Sequence, residues 1–171
     1  MNSEKKLKSH DLVLVGAGHA NLLVIKRFIT RPLSGVRLIV ISPYSETTYS
    51  GMLPGVIARQ YPNKKCQIDI ANLVKRAEGW LIRAKLESID PGKSSLILKR
   101  SPELGGGVLP DLVYDTCILN TGGGEPPLLP GYHSSVFSVK PTSRFLSSLD
   151  SIDNYVNRKR SLSIIGAGAA G

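Results

Sequence analysis

Cysteine is scarce in these 171 residues: Cys66 and Cys117 are the only two, and they lie far apart. With no C-x-x-C and no short-spaced pair, neither a redox disulfide nor a zinc site is expected, nor any other metal site. A reducing, intracellular setting, cytoplasmic by default, fits that usage. No apolar run approaches the ~18 residues of a membrane span. Residues 1–10 are polar, with Glu4 among lysines, and lack the apolar centre of a secretory signal; they read as a loose tail. Acidic residues are also few, 13 against 22 basic, for a net charge of +9. The basic residues come mostly as short scattered pairs such as Lys26-Arg27 and Lys64-Lys65, with no stripe of arginine and aromatics, which excludes a nucleic-acid groove. A solvated basic surface that attracts anionic cofactors or lipid headgroups is the plainer reading.

What is present is an ordinary globular composition, with glycines in clusters that point to sites built from backbone. Leu12 to Val15 is a short apolar run of the kind that forms a buried parallel strand, and it ends at Gly16. Helical spacing follows from Ala20, with Leu22, Ile25, Phe28 and Ile29 on one face and Pro32 as the stop. Val36 to Ile41 is a second apolar strand ended by Ser42-Pro43. Residues 43–66 show no period and read as a long functional loop. A short helix over 68–77, a strand from Trp80 to Leu86 and a turn at Asp90-Pro91-Gly92 follow. Residues 86–114 read as an antiparallel meander that includes an exposed strand from Ser94 to Leu98 and a flexible tip at Gly105-Gly106-Gly107. Thr116 to Leu119 is another apolar strand, Arg144 to Val156 has helical spacing, and Leu162 to Ile165 repeats the first strand.

The chemistry sits in the glycine-rich ends of those strands. In Gly16-Ala17-Gly18-His19-Ala20-Asn21, Gly16 permits a tight strand-to-helix turn and Gly18 leaves room for phosphates. The helix starting near Ala20 then points its positive end at a dinucleotide's pyrophosphate. Asn21 stands where the third glycine is usual. The second strand ends in Ser42 where an acidic residue normally holds a ribose, so ribose recognition is expected to be weaker or shared with nearby backbone; Ser42 could also simply cap the strand. His19 could touch a phosphate, though a lone loop histidine more often has no catalytic role. Gly166, Gly168 and Gly171 repeat the signature with all three glycines, again after an apolar strand.

Two such signatures about 150 residues apart resemble the pyridine nucleotide-disulfide oxidoreductase superfamily, in which an FAD fingerprint comes first and an NAD(P)H fingerprint later. Thr121-Gly122 looks like the second FAD motif. Tyr49 to Gly55 and Val139-Lys140-Pro141 look like the subfamily related to type II NADH dehydrogenases and linked to selenide, water dikinase. The resemblance implies FAD as cofactor, with Gly16, Gly18, His19, Ala20 and Asn21 at its pyrophosphate and Ser42 and Pro43 near the adenosine ribose. It puts the backbone of Leu86 at the adenine, Thr121 and Gly122 along the cofactor's middle, and Met52, Leu53 and Pro54 near the flavin. Lys140 would place a positive charge near the flavin or the incoming NAD(P)H, and Gly166, Gly168 and Gly171 would begin the NAD(P)H site. No side-chain acid or base is obligatory.

The fold implied is α/β: a Rossmann-like FAD-binding domain with a parallel sheet, helices on both faces and an antiparallel β-meander, followed by the incomplete start of a second Rossmann-like domain. The expected division is a tail over 1–10, the FAD-binding domain over 11–135, a connector with a helix over 136–160 and the second domain's first strand and glycine loop over 161–171. The expected function is hydride transfer from NAD(P)H to FAD and on to an acceptor such as a quinone, with peripheral membrane contact allowed. The rival is a non-catalytic nucleotide-binding fragment of such an enzyme, inactive alone.

Overall fold

A computed structural model describes residues 9–101, 104–122, 136–157 and 161–166. They fall into two compact units, one built from residues 1–46 and 69–122, the other from 47–68 and 123–171.

The first unit is organised by a four-stranded parallel sheet in the order β5-β2-β1-β9, with β1 at His10–Val15, β2 at Val36–Ile41, β5 at Trp80–Ile82 and β9 at Thr116–Leu119. Successive side chains of a strand point to opposite faces, and a parallel sheet is covered on both, which is why β1 and β2 are apolar throughout. On one face Leu14, Leu38 and Val40 pack against Ile25 and Phe28 of α1 (His19–Thr30) and Ile70, Val74 and Ala77 in and just after α3 (Ile70–Arg76). On the other, Val13, Val15, Ile39 and Ile41 meet Ala84, Leu96 and Leu98. Those belong to an antiparallel sheet of β6 (Ala84–Asp90), β7 (Ser95–Arg100) and β8 (Leu112–Val113).

The α/β class, the parallel sheet and the meander are as expected, with three corrections. Among the described residues the helices of this unit cover one face only, because the meander occupies the other. The run from Trp80 to Leu86 is two strands parted at Arg83: β5 joins the parallel sheet and β6 the antiparallel one. Strand β7 is not exposed. Leu96 and Leu98 are buried because one face of the meander lies on the parallel sheet.

At the N-terminal edge of the sheet, Asp11 and Arg37 form a two-point ion pair, and the guanidinium lies 5.2 Å from the centre of the Trp80 ring. Asp11 is also bonded to the residue before β9: its N–H donates to Asp115 Oδ2 at 2.7 Å, and the Asp115 N–H returns a bond to Asp11 O at 3.1 Å. These contacts fasten β1, β2, β5 and the start of β9 at the end away from the glycine loop.

The second unit has its own apolar core of Leu53, Val56, Cys66, Phe145, Leu146 and Leu149. The expected structureless loop is instead a chain of short elements. Strand β3 (Glu46–Thr48) and a 3-10 turn (Ser50–Met52) lead into α2 (Leu53–Ile57), and a second 3-10 turn (Asn63–Cys66) leads into β4 (Gln67–Asp69), which pairs with β3. Each piece is too short to carry a period, so the sequence pattern hid them. Helix α4 (Thr142–Asn157) packs Phe145, Leu146 and Leu149 on this core, and Arg59 pairs with Asp150 and Asp153 on its surface. Leu162 to Ile165 is exposed and forms no strand; among the described residues nothing pairs with it, and a strand without a partner leaves its backbone groups to water. No described helix is long and apolar enough to cross a membrane.

Candidate dinucleotide site

The site of the first unit lies at the C-terminal ends of β1, β2 and β9. Gly16 leaves β1 with φ +85, a left-handed conformation that a side chain would strain, and its N–H donates to Ile41 O at 2.8 Å. Gly18 is the N-cap of α1 and has ordinary extended backbone. Its need for glycine is spatial: a Cβ there would overlap the Asn120 side chain, with Asn120 Cγ 2.8 Å away. A Cβ on Gly16 would likewise overlap the Asn120 carbonyl, with the Thr121 Cα 3.1 Å away. The expectation that Gly18 only clears space for phosphates is thereby extended, since Asn120 takes part of that space. Sequence reading missed Asn120; the one signal was a polar residue at the end of the apolar strand β9.

The first turn of α1 carries no acidic residue and no side chain caps it. Its backbone N–H groups and the helix dipole therefore face the loop mouth without a competing negative charge. His19 and Ala20 are exposed there. Asn21 is fully buried, and its Nδ2 donates to Gly16 O at 2.8 Å and Val15 O at 3.2 Å. Where the usual third glycine lets helix and strand close up, Asn21 fastens them with hydrogen bonds. Among the described residues two acceptors, Asn21 Oδ1 and Asn120 Oδ1, are buried without a partner.

Ser42 is also buried, its hydroxyl donating to Tyr44 O at 2.9 Å and accepting from Tyr44 N at 3.2 Å. That local turn occupies the hydroxyl expected at the ribose, as a strand-end cap would. Next to it Arg83 Nε donates to Pro43 O at 3.0 Å. Arg83 also lines a cavity of about 620 Å³ together with Leu81, Leu98, Arg100, Leu109 and Leu112. Leu86 pairs with Leu98 in the meander, beside an irregularity between Leu86 and Ser88. Thr121 and Gly122 are exposed at the end of β9, and the space around a Cβ on Gly122 is open. The structure thus brings Gly16 and Gly18 against Asn120, with the Thr121 Cα beside Gly16 and Asn21 hydrogen-bonded to the Gly16 carbonyl.

In the second unit, Leu53 turns its side chain into the core, Met52 is half-buried against it and Pro54 is exposed in the first turn of α2. Tyr61 donates its hydroxyl to Met52 O at 2.7 Å and covers Gly55, where a Cβ would overlap the phenol ring. Lys140 is exposed, with its N–H and carbonyl held by the Ser138 hydroxyl. Gly166 is exposed with φ +109 and open space around it. Gly168 and Gly171 lie outside the described residues. Among those residues no group of three or more His, Cys, Asp or Glu gathers as metal ligands would.

Both cysteines are free. Cys66 is fully buried with its S–H donating to Asn63 O at 2.9 Å, and burial pushes its thiol pKa up. Cys117, although it lies in an apolar strand, is only half-buried, because β9 is an edge strand; desolvation still raises its pKa.

No family model matches the chain, and no curated protein matches it by sequence. Solved structures do match its fold. The sulfide:quinone oxidoreductase of Aquifex aeolicus matches with a TM-score of 0.65 and 18% identity over 87% of this chain and 33% of that one. NDH2 of Plasmodium falciparum, solved with RYL-552, gives 0.68 and 15% over 92% of this chain and 31% of that one. The NADH:rubredoxin oxidoreductase of Clostridium acetobutylicum gives 0.63 and 19% over 86% and 36%. The chain spans about a third of the length of these structures. Its fold, a parallel sheet with an antiparallel meander in a Rossmann-like α/β arrangement, is the one it shares with these structures.

Proposed function

We propose that the first unit binds FAD non-covalently on the loop Gly16 to Asn21, as part of an NAD(P)H-dependent flavoprotein oxidoreductase. The observation that carries the reading is the strand-to-helix turn itself. Gly16 has a conformation suited to glycine, Gly18 admits no side chain, and an uncapped helix start without acidic residues follows. That arrangement presents backbone N–H groups and positive potential to a pyrophosphate. Arg83 and the basic surface add to the attraction for an anionic dinucleotide.

The residues present fit such a cofactor. Gly16, Gly18, His19, Ala20 and Asn21 would hold the pyrophosphate through backbone, since the Asn21 side chain is turned toward β1. With the Ser42 hydroxyl committed to its turn, the adenosine end would be read by backbone near Pro43 and Leu86. Thr121 and Gly122 would line the cofactor's middle. Met52, Leu53, Pro54 and Lys140 of the second unit are proposed for the flavin end on the resemblance alone, Leu53 through backbone because its side chain is in the core. Gly166, Gly168 and Gly171 are proposed on the same ground for NAD(P)H. Bound flavin supplies hydride chemistry, while the protein contributes position and electrostatics. Two of the similar structures are a sulfide:quinone oxidoreductase and an NADH:rubredoxin oxidoreductase, which makes a quinone or a small redox protein the acceptor class to test.

Equilibrium dialysis against FAD and FMN tests the binding reading. FAD should be retained at about one molecule per chain and FMN, which lacks the pyrophosphate, should not. Equal retention of the two, or of neither, contradicts it.

A further inference from the structure

Strand β9 passes to the glycine loop through Asn120, a residue to which neither the fingerprints nor the resemblance gave a role. Its backbone closes the loop, with its N–H donating to Val15 O at 2.8 Å and its carbonyl standing where a Cβ on Gly16 would be. Its side chain does the same at Gly18. One residue therefore contacts both glycines of the turn. Its Oδ1 is buried and without a hydrogen-bond partner. An apolar side chain would fill the same space without leaving a polar atom unpaired, so packing does not account for a carboxamide here.

We infer that Asn120 is a ligand-contacting residue that donates its carboxamide N–H to the pyrophosphate of the bound dinucleotide. The inference rests on the FAD-binding reading above. A carboxamide has an acceptor end and a donor end of nearly the same shape, and a half-turn of the group exchanges them. An entering phosphate oxygen is an acceptor only and selects the donor end, and a bond to a charged oxygen is stronger than a neutral one. The neighbouring carboxamide cannot serve, because Asn21 Nδ2 is already shared between Gly16 O and Val15 O. No acidic side chain in the first turn of α1 opposes the anion. The site thus combines backbone donors from the helix start with one side-chain donor from the facing strand.

Asn120→Ala and Asn120→Asp in the full chain test this, with FAD and ADP titrations and thermal melting of the unliganded protein. Alanine removes the donor and also the unpaired buried acceptor. Affinity for FAD and ADP should fall about tenfold or more, while the melting temperature of the unliganded chain stays the same or rises. Aspartate keeps the shape but offers a negative acceptor, so binding should fall further. Wild-type affinity in either variant overturns the inference. So does a fall in the unliganded melting temperature that matches the loss of binding, which would assign Asn120 to the loop's architecture. If the wild-type chain itself binds neither FAD nor ADP, the FAD reading fails and the assignment falls with it; if it binds and the variants bind equally, only the assignment of Asn120 fails.

Discussion

Asn21 donates its side-chain N–H to the carbonyl of Gly16 at 2.8 Å, tying the first turn of α1 to the residue that begins the phosphate loop. The same nitrogen reaches Val15 O at 3.2 Å, so a single buried side chain holds helix and strand together where a glycine is usual. Restoring the usual residue should therefore weaken this protein. Asn21→Gly removes two hydrogen bonds at about 1 kcal/mol each and adds about 0.3 kcal/mol of helix cost. A loss of about 2–3 kcal/mol is expected on those grounds. Urea denaturation checks it, and an unchanged or higher stability contradicts the fastening role.

Gly55 should not accept even a methyl group. A Cβ there meets the Tyr61 ring, which is held over α2 by its bond to Met52 O. Gly55→Ala should cost about 1–3 kcal/mol by overpacking. The cost should shrink in a Tyr61→Ala background, where the colliding ring is gone. A double-mutant cycle reads the coupling directly; additive effects would show that the two residues do not meet.

The two thiols should react at different rates and never pair. Cys66 is fully buried and should label only on unfolding, whereas half-buried Cys117 should label slowly, held back by its raised pKa. The shifts also fix a sign for stability. Both folded-state thiols hold their protons above the ordinary range, so as pH climbs past about 8.5 the unfolded chain loses protons that the folded chain keeps. That contribution is fully present below the unfolded pKa and is lost as pH rises through the folded one. Chemical denaturation at pH 7 and pH 9.5 should show the loss, and Cys66→Ala should reduce it. Fast labelling of Cys66 in the native protein would contradict its burial.

Residues 161–166, the described part of the segment around Gly166, are exposed and irregular. Hydride transfer needs the reacting atoms within about 3–3.5 Å. FAD-loaded chain mixed with NADH or NADPH should therefore show slow flavin bleaching that does not saturate. Fast, saturating bleaching in stopped flow would show a working NAD(P)H site on this chain.

Much of the first unit was legible because its central strands β1 and β2 are buried on both faces and its edge strand β9 is still a short apolar run. Val36 to Ile41 and Thr116 to Leu119 were read with their observed bounds, and the helix from Ala20 starts one residue earlier in the structure. What escaped the sequence was set by tertiary contacts. Nothing local at Arg83 says that Ile82 and Ala84 belong to different sheets, or that Leu96 and Leu98 would be covered. Leu162 to Ile165 has the composition of β1 but no partner among the described residues. At the site, the glycines were visible and Asn120 was not, because its meaning depends on Gly16 and Gly18, over a hundred residues away in sequence and in contact through the β1–β9 pairing.

The most direct test is calorimetric titration of FAD into the wild-type chain, Gly18→Ala and Gly18→Val, each checked for folding by circular dichroism. The account predicts equimolar binding to the wild-type chain, weakened binding to Gly18→Ala and none detectable to folded Gly18→Val, because a side chain at Gly18 displaces Asn120 and crowds the loop mouth. A folded Gly18→Val chain that binds FAD as the wild type does would place the dinucleotide elsewhere and contradict the account.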